Sequence, residues 1–240
     1  MTTNHDSISK LIQEKKIEDL KAVIKDLNDL VNGDYEHIVH HAFQIQDETM
    51  KSPPCKETMA TLCSSDLISP IFKGIYTEDL DLIKKTIKED PGALERRDAS
   101  TYTPFLRAAE TCKVDTINLL VEEGADIYGV RDDDFGGGAL HIAAWNAVNP
   151  GERYQTLKRL IELGCNVNAL TKADATPMML AALCRHASSI RCLLEHGADR
   201  DLVSNEGKTA LDYAKESDLQ NGIDFLTIKY DKIFKSKLKD

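Results

Sequence analysis

The stretch TPMMLAA, residues 176–182, recurs in altered form four more times along the chain, and this recurrence decides the fold. The related segments begin 34, 35, 38 and 33 residues apart, as SPIFKGI from Ser69, TPFLRAA from Thr103, GALHIAA from Gly138 and TALDYAK from Thr209. A second block follows the three middle copies, as TINLLVEEGADI from Thr116, LKRLIELGCNVNA from Leu157 and IRCLLEHGADRD from Ile190. Because both blocks keep their order and spacing, the chain is built from a repeated unit.

Each unit carries the signals of two short helices. Thr176 is placed to cap a first helix with its hydroxyl, and Pro177 suits the first helical position, where its missing N–H costs nothing. The second block is apolar on one face and ends at a glycine that can adopt a positive φ, at Gly124, Gly164 and Gly197. Alanine pairs on the first helix allow neighbouring units to approach closely, at 108–109, 143–144 and 181–182.

This unit resembles the ankyrin repeat, whose signature is a turn followed by TPLHxA. The resemblance covers residues 64–222 as about five repeats and implies an all-α solenoid of helix-turn-helix repeats with short hairpin-like fingers. His141 keeps the histidine of the signature, whose usual part in the family is to hydrogen-bond within the turn. The third repeat has about five extra residues before Gly164, and Asn149-Pro150-Gly151 predicts a turn that lengthens its helix–helix connection.

The two ends of the chain differ from the repeats. Residues 1–63 carry helical spacing and predict either a cap of divergent repeats or a separate helical appendage. Residues 223–240 predict a C-terminal capping helix with a basic face, and the alternative is a helix that binds a partner or a membrane surface.

Composition excludes several classes of function. The formal charge of −10 argues against nucleic-acid binding, because a phosphate backbone would be repelled. No apolar stretch reaches 18 residues and the start lacks a secretory signal, so we expect neither a membrane span nor export. The six cysteines show no disulfide framework, which favours a reducing compartment: the cytoplasm, with the nucleus or a host-cell cytosol as alternatives.

Motifs that could carry chemistry are incomplete. The GKT of residues 207–209 lacks the preceding glycine of a phosphate-binding loop, and Asp132-Asp133-Asp134 lacks the wider ligand set of a calcium loop. His37, His40 and His41 share a helical face near Cys55 and Cys63, but the spacing is not that of a zinc knuckle. No nucleophile motif is present. We therefore predict a protein that is not an enzyme and that uses no cofactor or metal.

The resemblance implies binding of another protein, since ankyrin repeats usually contact partners through a concave face of finger turns and inner helices. Four aromatic residues, Tyr76, Tyr102, Phe135 and Trp145, fall at positions of this kind, although Trp145 packing under the insert and Phe135 packing on its own finger are alternatives. The predicted partner-binding residues are Tyr76, Tyr102, Glu110, Asp132, Asp133, Asp134, Phe135, Trp145, Asn146, Lys172, Leu183 and Glu206. The acidic residues favour a basic or mixed-charge partner segment.

Three functions are open at this point. The first is a monomeric scaffold or adaptor that binds a partner protein. The second is an inhibitor or pathogen-type effector that blocks a host enzyme or signalling protein, and the third, more remote, is a metal-dependent activity at the histidine cluster. In addition, LIELGCNVN at residues 160–168 resembles the ankyrin segments that an asparaginyl hydroxylase modifies, which makes Asn168 a candidate modification site.

Overall fold

The fold is described by a computed structural model over residues 68–98, 100–146 and 150–227. This part of the chain contains ten α-helices and no strand, and a single antiparallel bridge joins Val130 to Gly138. The helices are α1 Pro70–Thr77, α2 Leu80–Glu89, α3 Pro104–Glu110, α4 Val114–Glu122, α5 Ala139–Trp145, α6 Pro150–Glu162, α7 Pro177–Leu183, α8 Ala187–Glu195, α9 Ala210–Glu216 and α10 Gln220–Leu226. The predicted cap at 1–63 and most of the C-terminal segment lie outside the described residues.

The ten helices form five successive pairs, one pair for each copy of the sequence unit. The described residues divide into two compact units, 68–107 with 115–126, and 108–114 with 127–227. This boundary falls inside the repeats rather than at the predicted limits of 64–222, for which it offers no test.

In the first unit, α1 packs against α2, and a short 3-10 helix at Pro91–Glu95 packs against α2. Ile71, Phe72, Ile75 and Ile83 are completely or almost completely buried there. Gly74 stands where the other repeats carry alanine, because a Cβ at this position would lie 2.6 Å from Ile83 Cγ1. The first repeat therefore has a buried apolar interior and a close approach of its two helices despite its divergent sequence.

In the second unit, three helix pairs are stacked in order. The first helices of the pairs contact one another, α5 with α7 and α7 with α9, and the second helices do the same, α6 with α8 and α8 with α10. Alanine makes the close contacts between first helices: Ala143, Ala144, Ala181, Ala182 and Ala214 are fully buried. Each pair buries its apolar face only against its neighbours, which is the energetic logic of a repeat stack.

The predicted cap at Thr176 is confirmed, and Thr209 caps α9 in the same way. The Thr176 hydroxyl accepts a hydrogen bond from the Met179 N–H at 3.2 Å, and Thr209 does the same for Asp212 at 3.3 Å. Gly164 and Gly197, directly after the second helices, have φ values of 96° and 85°, a conformation that strains residues with a Cβ.

The prediction for the insert of the third repeat is wrong in one respect. Pro150 and Gly151 do not form a turn but begin α6, which has 13 residues where α4 and α8 have 9. Proline fits the first turn of a helix because N–H groups there have no intrahelical acceptor, so its missing N–H costs no hydrogen bond. The negative charge of Glu152 in the same turn interacts favourably with the helix dipole. Most of the extra residues thus extend a helix instead of lengthening a loop.

Candidate partner-binding surface

Finger turns precede the first helices of the last four repeats, and one position in them organises the turn. This position lies five residues before the helix cap, at Asp98, Asp133, Thr171 and Ser204. The Asp133 carboxylate accepts hydrogen bonds from the N–H groups of Phe135 and Gly136, both at 3.1 Å, and pairs with Arg131. Thr171 accepts from Ala173 and Ala175 at 3.3 and 3.1 Å. The Asp133 carboxylate is therefore used within its own finger, and its contact with a partner stays a prediction.

Neighbouring fingers of the second unit are joined through their backbones. The Lys172 N–H donates to the Phe135 carbonyl at 3.1 Å, and the Asn205 N–H donates to the Ala173 carbonyl at 3.1 Å. His141 adds a side-chain link: its Nδ1 accepts from the Gly138 N–H at 3.2 Å, and its Nε2 faces the carbonyls of Ala169 and Ala175 at 3.0 and 3.2 Å. These bonds hold successive fingers in a fixed row.

The position of His141 also fixes its charge. Burial lowers the pKa of its imidazole to about 4, against the opposing effect of hydrogen bonds to Ala169 and Ala175. The ring is therefore neutral at physiological pH, with the proton on Nε2 because Nδ1 accepts from Gly138.

Tyr76 and Tyr102 are not surface anchors. Both are buried in the first unit, where the Arg107 guanidinium lies 4.0 Å from the centre of the Tyr102 ring and 5.9 Å from that of Tyr76. Arg107 is itself buried and pairs with Asp98, with its Nε 2.9 Å from the Asp98 carboxylate. Because a buried guanidinium needs both charge compensation and a polarisable surface, the two tyrosines serve the interior and not a partner.

The last residues of the first helices form a row in the second unit: Glu110, Trp145, Leu183 and Glu216. Glu110 is buried, and its carbonyl accepts a hydrogen bond from the side-chain amide of Asn146, which is half-buried; partner contact by these two residues stays a prediction. Trp145 and Leu183, in contrast, have exposed fractions of 47% and 51% although the six preceding residues of both helices are buried. We call this pair the apolar ledge.

Phe135 supports the apolar ledge from the finger side. Its ring centre lies 5.2 Å from that of Trp145 in a tilted arrangement and 6.3 Å from that of His141, edge to face. A Cβ on Gly137 would overlap the Phe135 ring, so this ring also packs on its own finger, as the alternative interpretation expected. Phe135 thus holds the indole of Trp145 in place while leaving part of it open to solvent.

Charged residues flank the apolar ledge. Asp132 and Asp134 are exposed and make no ion pair with any described residue. The alkyl chain of Lys172 lies against Gly136, and at the far end Lys208 lies 3.0 Å from both Glu206 and Glu216. The hydrogen bonds that Lys208 donates to these two glutamates raise its pKa above the ordinary value. The carboxylates beside Phe135 are therefore the ones left for an incoming cation.

A second exposed apolar row was missed by the sequence argument. Leu170 and Val203 have exposed fractions of 50% and 54% and occupy the same finger position in consecutive repeats, where the preceding finger has Asp132. The signal was present in the sequence, since an apolar residue directly before the buried Thr171 or Ser204 has no framework role in the repeat.

Other candidate residues have structural explanations. The Asn168 side-chain oxygen accepts from the Asp199 N–H at 2.8 Å, and its hydroxylation remains a prediction. Burial raises the pKa of the Cys165 thiol to about 11 and that of Cys192 to about 12, which disfavours the reactive thiolate. The described residues contain no metal-binding group of histidine, cysteine or carboxylates, while the histidine cluster at 37–41 with Cys55 and Cys63 lies outside them.

Over the ranges given above, the chain has no helix of the length and apolar character needed to span a membrane.

Two family descriptions match the chain: Ankyrin repeats (many copies) over residues 105–151 and Ankyrin repeats (3 copies) over residues 145–236. Curated relatives include XBAT34 of Arabidopsis thaliana, whose name places it among the E3 ubiquitin-protein ligases, at 34% identity over 110 residues, 45% of this chain and 28% of the relative. Ankyrin repeat and SOCS box protein 6 of Homo sapiens is 32% identical over 114 residues, 45% of this chain and 26% of the relative. Alpha-latrocrustotoxin-Lt1a of Latrodectus tredecimguttatus is 30% identical over 141 residues, 58% of this chain and 9% of the relative.

The chain spans less than a third of the length of each of these relatives. Together, the two family matches extend over residues 105–236, which include the stacked helix pairs of the second unit and their fingers. The repeated sequence unit, the helix pairs and these matches agree, and the chain belongs to the ankyrin-repeat family.

Proposed function

We propose that this chain is a non-enzymatic binding module that holds a partner protein on the apolar ledge, Trp145 and Leu183, with the acidic finger residues Asp132 and Asp134 beside it. Ankyrin repeats act in protein–protein interaction, and this proposal assigns the interaction to particular residues. The observation that carries it is the exposure of two large apolar side chains at equivalent ends of helices that are otherwise buried. A partner that covers them would remove apolar surface from water.

Charge supports a partner with a basic or mixed-charge segment. Asp132 and Asp134 are unpaired within the described chain, Lys172 is exposed, and the whole chain carries a formal charge of −10. Complementary charge speeds encounter and selects among partners, whereas burial of the ledge supplies most of the affinity. A nucleic acid is not the proposed partner, because the formal charge of −10 and the exposed carboxylates of Asp132 and Asp134 disfavour a phosphate backbone.

The same surface could be used by an adaptor or by an inhibitor. An assay of the partner enzyme's activity at equimolar amounts of this chain distinguishes the two functions. We propose the adaptor, a monomer acting in the cytoplasm, as the first function. An inhibitor or effector would instead abolish the activity of its partner enzyme at equimolar amounts, and an adaptor would leave that activity in place.

The test is affinity capture from a cell extract, with mass-spectrometric identification of the retained proteins. The site variant is Trp145→Ala with Leu183→Ala, and the matched control is Leu170→Ala with Val203→Ala, which removes apolar side chains of nearly equal exposure from the same unit. We expect a partner that the wild type and the control retain and that the site variant loses. Circular dichroism verifies that all three proteins are folded.

A partner that the site variant retains and the control loses would refute the assignment to the apolar ledge. It would transfer the binding role to the row of Leu170 and Val203.

A further inference from the structure

The row formed by Trp145 and Leu183 has a defined spacing. These residues end α5 and α7, which pack directly against each other, and they occupy equivalent positions in consecutive repeats. Packed helices lie about 8–10 Å apart, so a ligand that contacts both side chains must present two groups at about that separation. The equivalent residues on either side are Glu110, which is buried, and Glu216, which is charged, and the apolar row is therefore two residues wide.

The backbone conformation that fits this spacing is polyproline II. It has three residues per turn and a rise of about 3.1 Å, so side chains at i and i+3 share a face and lie about 9 Å apart. A β-strand places side chains of one face two residues apart, at about 7 Å, and an α-helix reaches a comparable separation only at i and i+7, with a much wider body.

A second observation points to the same ligand. Among the described residues, no acceptor is paired with the indole N–H of Trp145, although indole N–H groups at contact surfaces usually find one. A polyproline II segment has backbone carbonyls that make no internal hydrogen bonds. The half-exposed indole, which packs against Phe135 in a tilted arrangement, offers such a segment both an aromatic surface and a donor.

The negative charge next to the indole of Trp145 adds a further requirement for the ligand, namely a basic side chain. Asp134 precedes Phe135 in the chain, and Phe135 is in ring contact with Trp145, so this carboxylate lies near one end of the apolar row. At the other end, Glu216 is already paired with Lys208. On the Trp145 side, a basic side chain in the ligand thus finds the exposed carboxylates of Asp132 and Asp134.

We infer that the ledge binds a proline-rich segment of the partner in the polyproline II conformation, with apolar side chains at i and i+3 and a basic residue on the Trp145 side. This inference rests on the proposed function and makes it specific: Trp145 and Leu183 each contact one apolar side chain, and Asp132 and Asp134 receive the basic residue.

A displayed library of random short peptides, selected on the whole chain, tests the inference. Selected peptides are re-measured by fluorescence anisotropy against the wild type, Leu183→Ala and Leu170→Ala. We expect enrichment of two apolar residues separated by two positions, with proline between or beside them and arginine or lysine near one end. We expect Leu183→Ala to weaken binding about tenfold and Leu170→Ala to leave it unchanged.

Two results would overturn the inference and have different consequences for the proposed function. Peptides that need Leu183 but carry apolar residues four or seven positions apart would identify a helical ligand and leave the proposed function intact. If no selected peptide depends on Leu183, the polyproline II ligand is rejected, and capture of a folded partner from extract then decides separately whether the ledge binds protein at all.

Trp145 is the one tryptophan of the chain, so tryptophan fluorescence reports on this residue alone and provides an independent readout of binding. Binding of a selected peptide should shift the emission of Trp145 to shorter wavelength as the indole leaves water, and a peptide with its basic residue replaced by glutamate should lose this shift. An unchanged emission spectrum at saturating peptide would contradict direct contact with Trp145.

Discussion

Arg107 and Asp98 form an ion pair that is almost completely excluded from solvent, with Tyr102 and Tyr76 packed around the guanidinium. The Asp98 carboxylate also accepts hydrogen bonds from the N–H groups of Ser100 and Tyr102, at 2.9 and 3.0 Å. Loss of Arg107 would therefore leave a buried negative charge inside a finger turn, which is among the most costly single changes in a protein interior.

Arg107→Met should lower the free energy of unfolding by about 3–5 kcal/mol, because the Asp98 carboxylate remains buried without its cation. The double variant with Asp98→Asn should be less destabilised than the sum of the two single changes, since no unpaired charge is then buried. Urea unfolding followed by circular dichroism measures both. Lys85→Met is the control: Lys85 and Glu89 are exposed and 3.9 Å apart, and we expect less than about 0.5 kcal/mol there. A similar small effect for Arg107→Met would contradict the account.

His141 predicts a defined dependence of stability on pH. Its pKa is lowered to about 4 in the folded chain, below the value of 6.5 in the unfolded chain, so the unfolded chain takes up the proton first as the pH falls. The stabilising contribution is complete above pH 6.5 and is lost as the pH falls toward 4. The magnitude is about 3 kcal/mol.

Comparison of the wild type with His141→Gln isolates this effect, because titration of the carboxylates and of His186 is common to both proteins. Chemical unfolding at several pH values between 7 and 4 should show a steeper loss in the wild type. Equal slopes would mean that His141 does not remain neutral in the folded chain.

At the residue scale, sequence alone predicted which positions are framework but not which large side chains are exposed. Tyr102 and Trp145 are both aromatic at positions that the repeat leaves free, yet one is buried under Arg107 and the other is half exposed. The difference depends on Arg107, whose position in the repeat does not require a cation. Leu183 was predicted because its position is equivalent to that of Trp145. The equivalent residues Tyr76 and Glu110 are buried, so position in the repeat alone does not predict which side chains are exposed.

At the scale of elements, three consecutive aspartates of one finger have different tasks. Asp133 holds the turn through Phe135 and Gly136, whereas Asp132 and Asp134 are exposed. The run of three aspartates by itself does not show which of them holds the turn. The separation becomes visible when the fingers are aligned from the helix cap, since Asp133 then matches Asp98 and Thr171.

Asp133→Ala should destabilise the chain by about 1–3 kcal/mol, because two backbone N–H groups and Arg131 lose their acceptor. Asp134→Ala should change the free energy of unfolding by less than about 0.5 kcal/mol and should instead weaken binding of a basic ligand. Thermal unfolding of both variants checks the first statement. Equal stability of the two variants would show that the finger does not depend on Asp133.

The helix pairs themselves were predictable because their signals are local. Thr-Pro at the start of α7 and glycine after α6 and α8 act within one turn of helix. The start of α6 was not predicted, since Asn-Pro-Gly favours a turn in isolation and Pro150 is equally suited to the first turn of a helix. Packing against α5 and α8 selects the helix.

At the scale of the whole molecule, the chain combines a formal charge of −10 with a small exposed apolar pair. Affinity for a basic partner should therefore have two parts, one that depends on salt and one that does not. Between about 0.05 and 0.5 M salt, the dissociation constant of the wild-type complex should rise, and it should rise less for Asp132→Asn with Asp134→Asn. Titration calorimetry at several salt concentrations measures this, and identical salt dependence of the two proteins would exclude these carboxylates from the interface.

The most direct test of the account is the affinity of the captured partner for two single variants, Leu183→Ala and Leu170→Ala. The two leucines that they replace are nearly equally exposed. Because Leu183 belongs to the apolar ledge and Leu170 does not, we expect the dissociation constant to rise about tenfold or more for the first and less than about twofold for the second. If both variants bind as tightly as the wild type, or if Leu170→Ala is the weaker one, the ledge is not where this chain binds its partner.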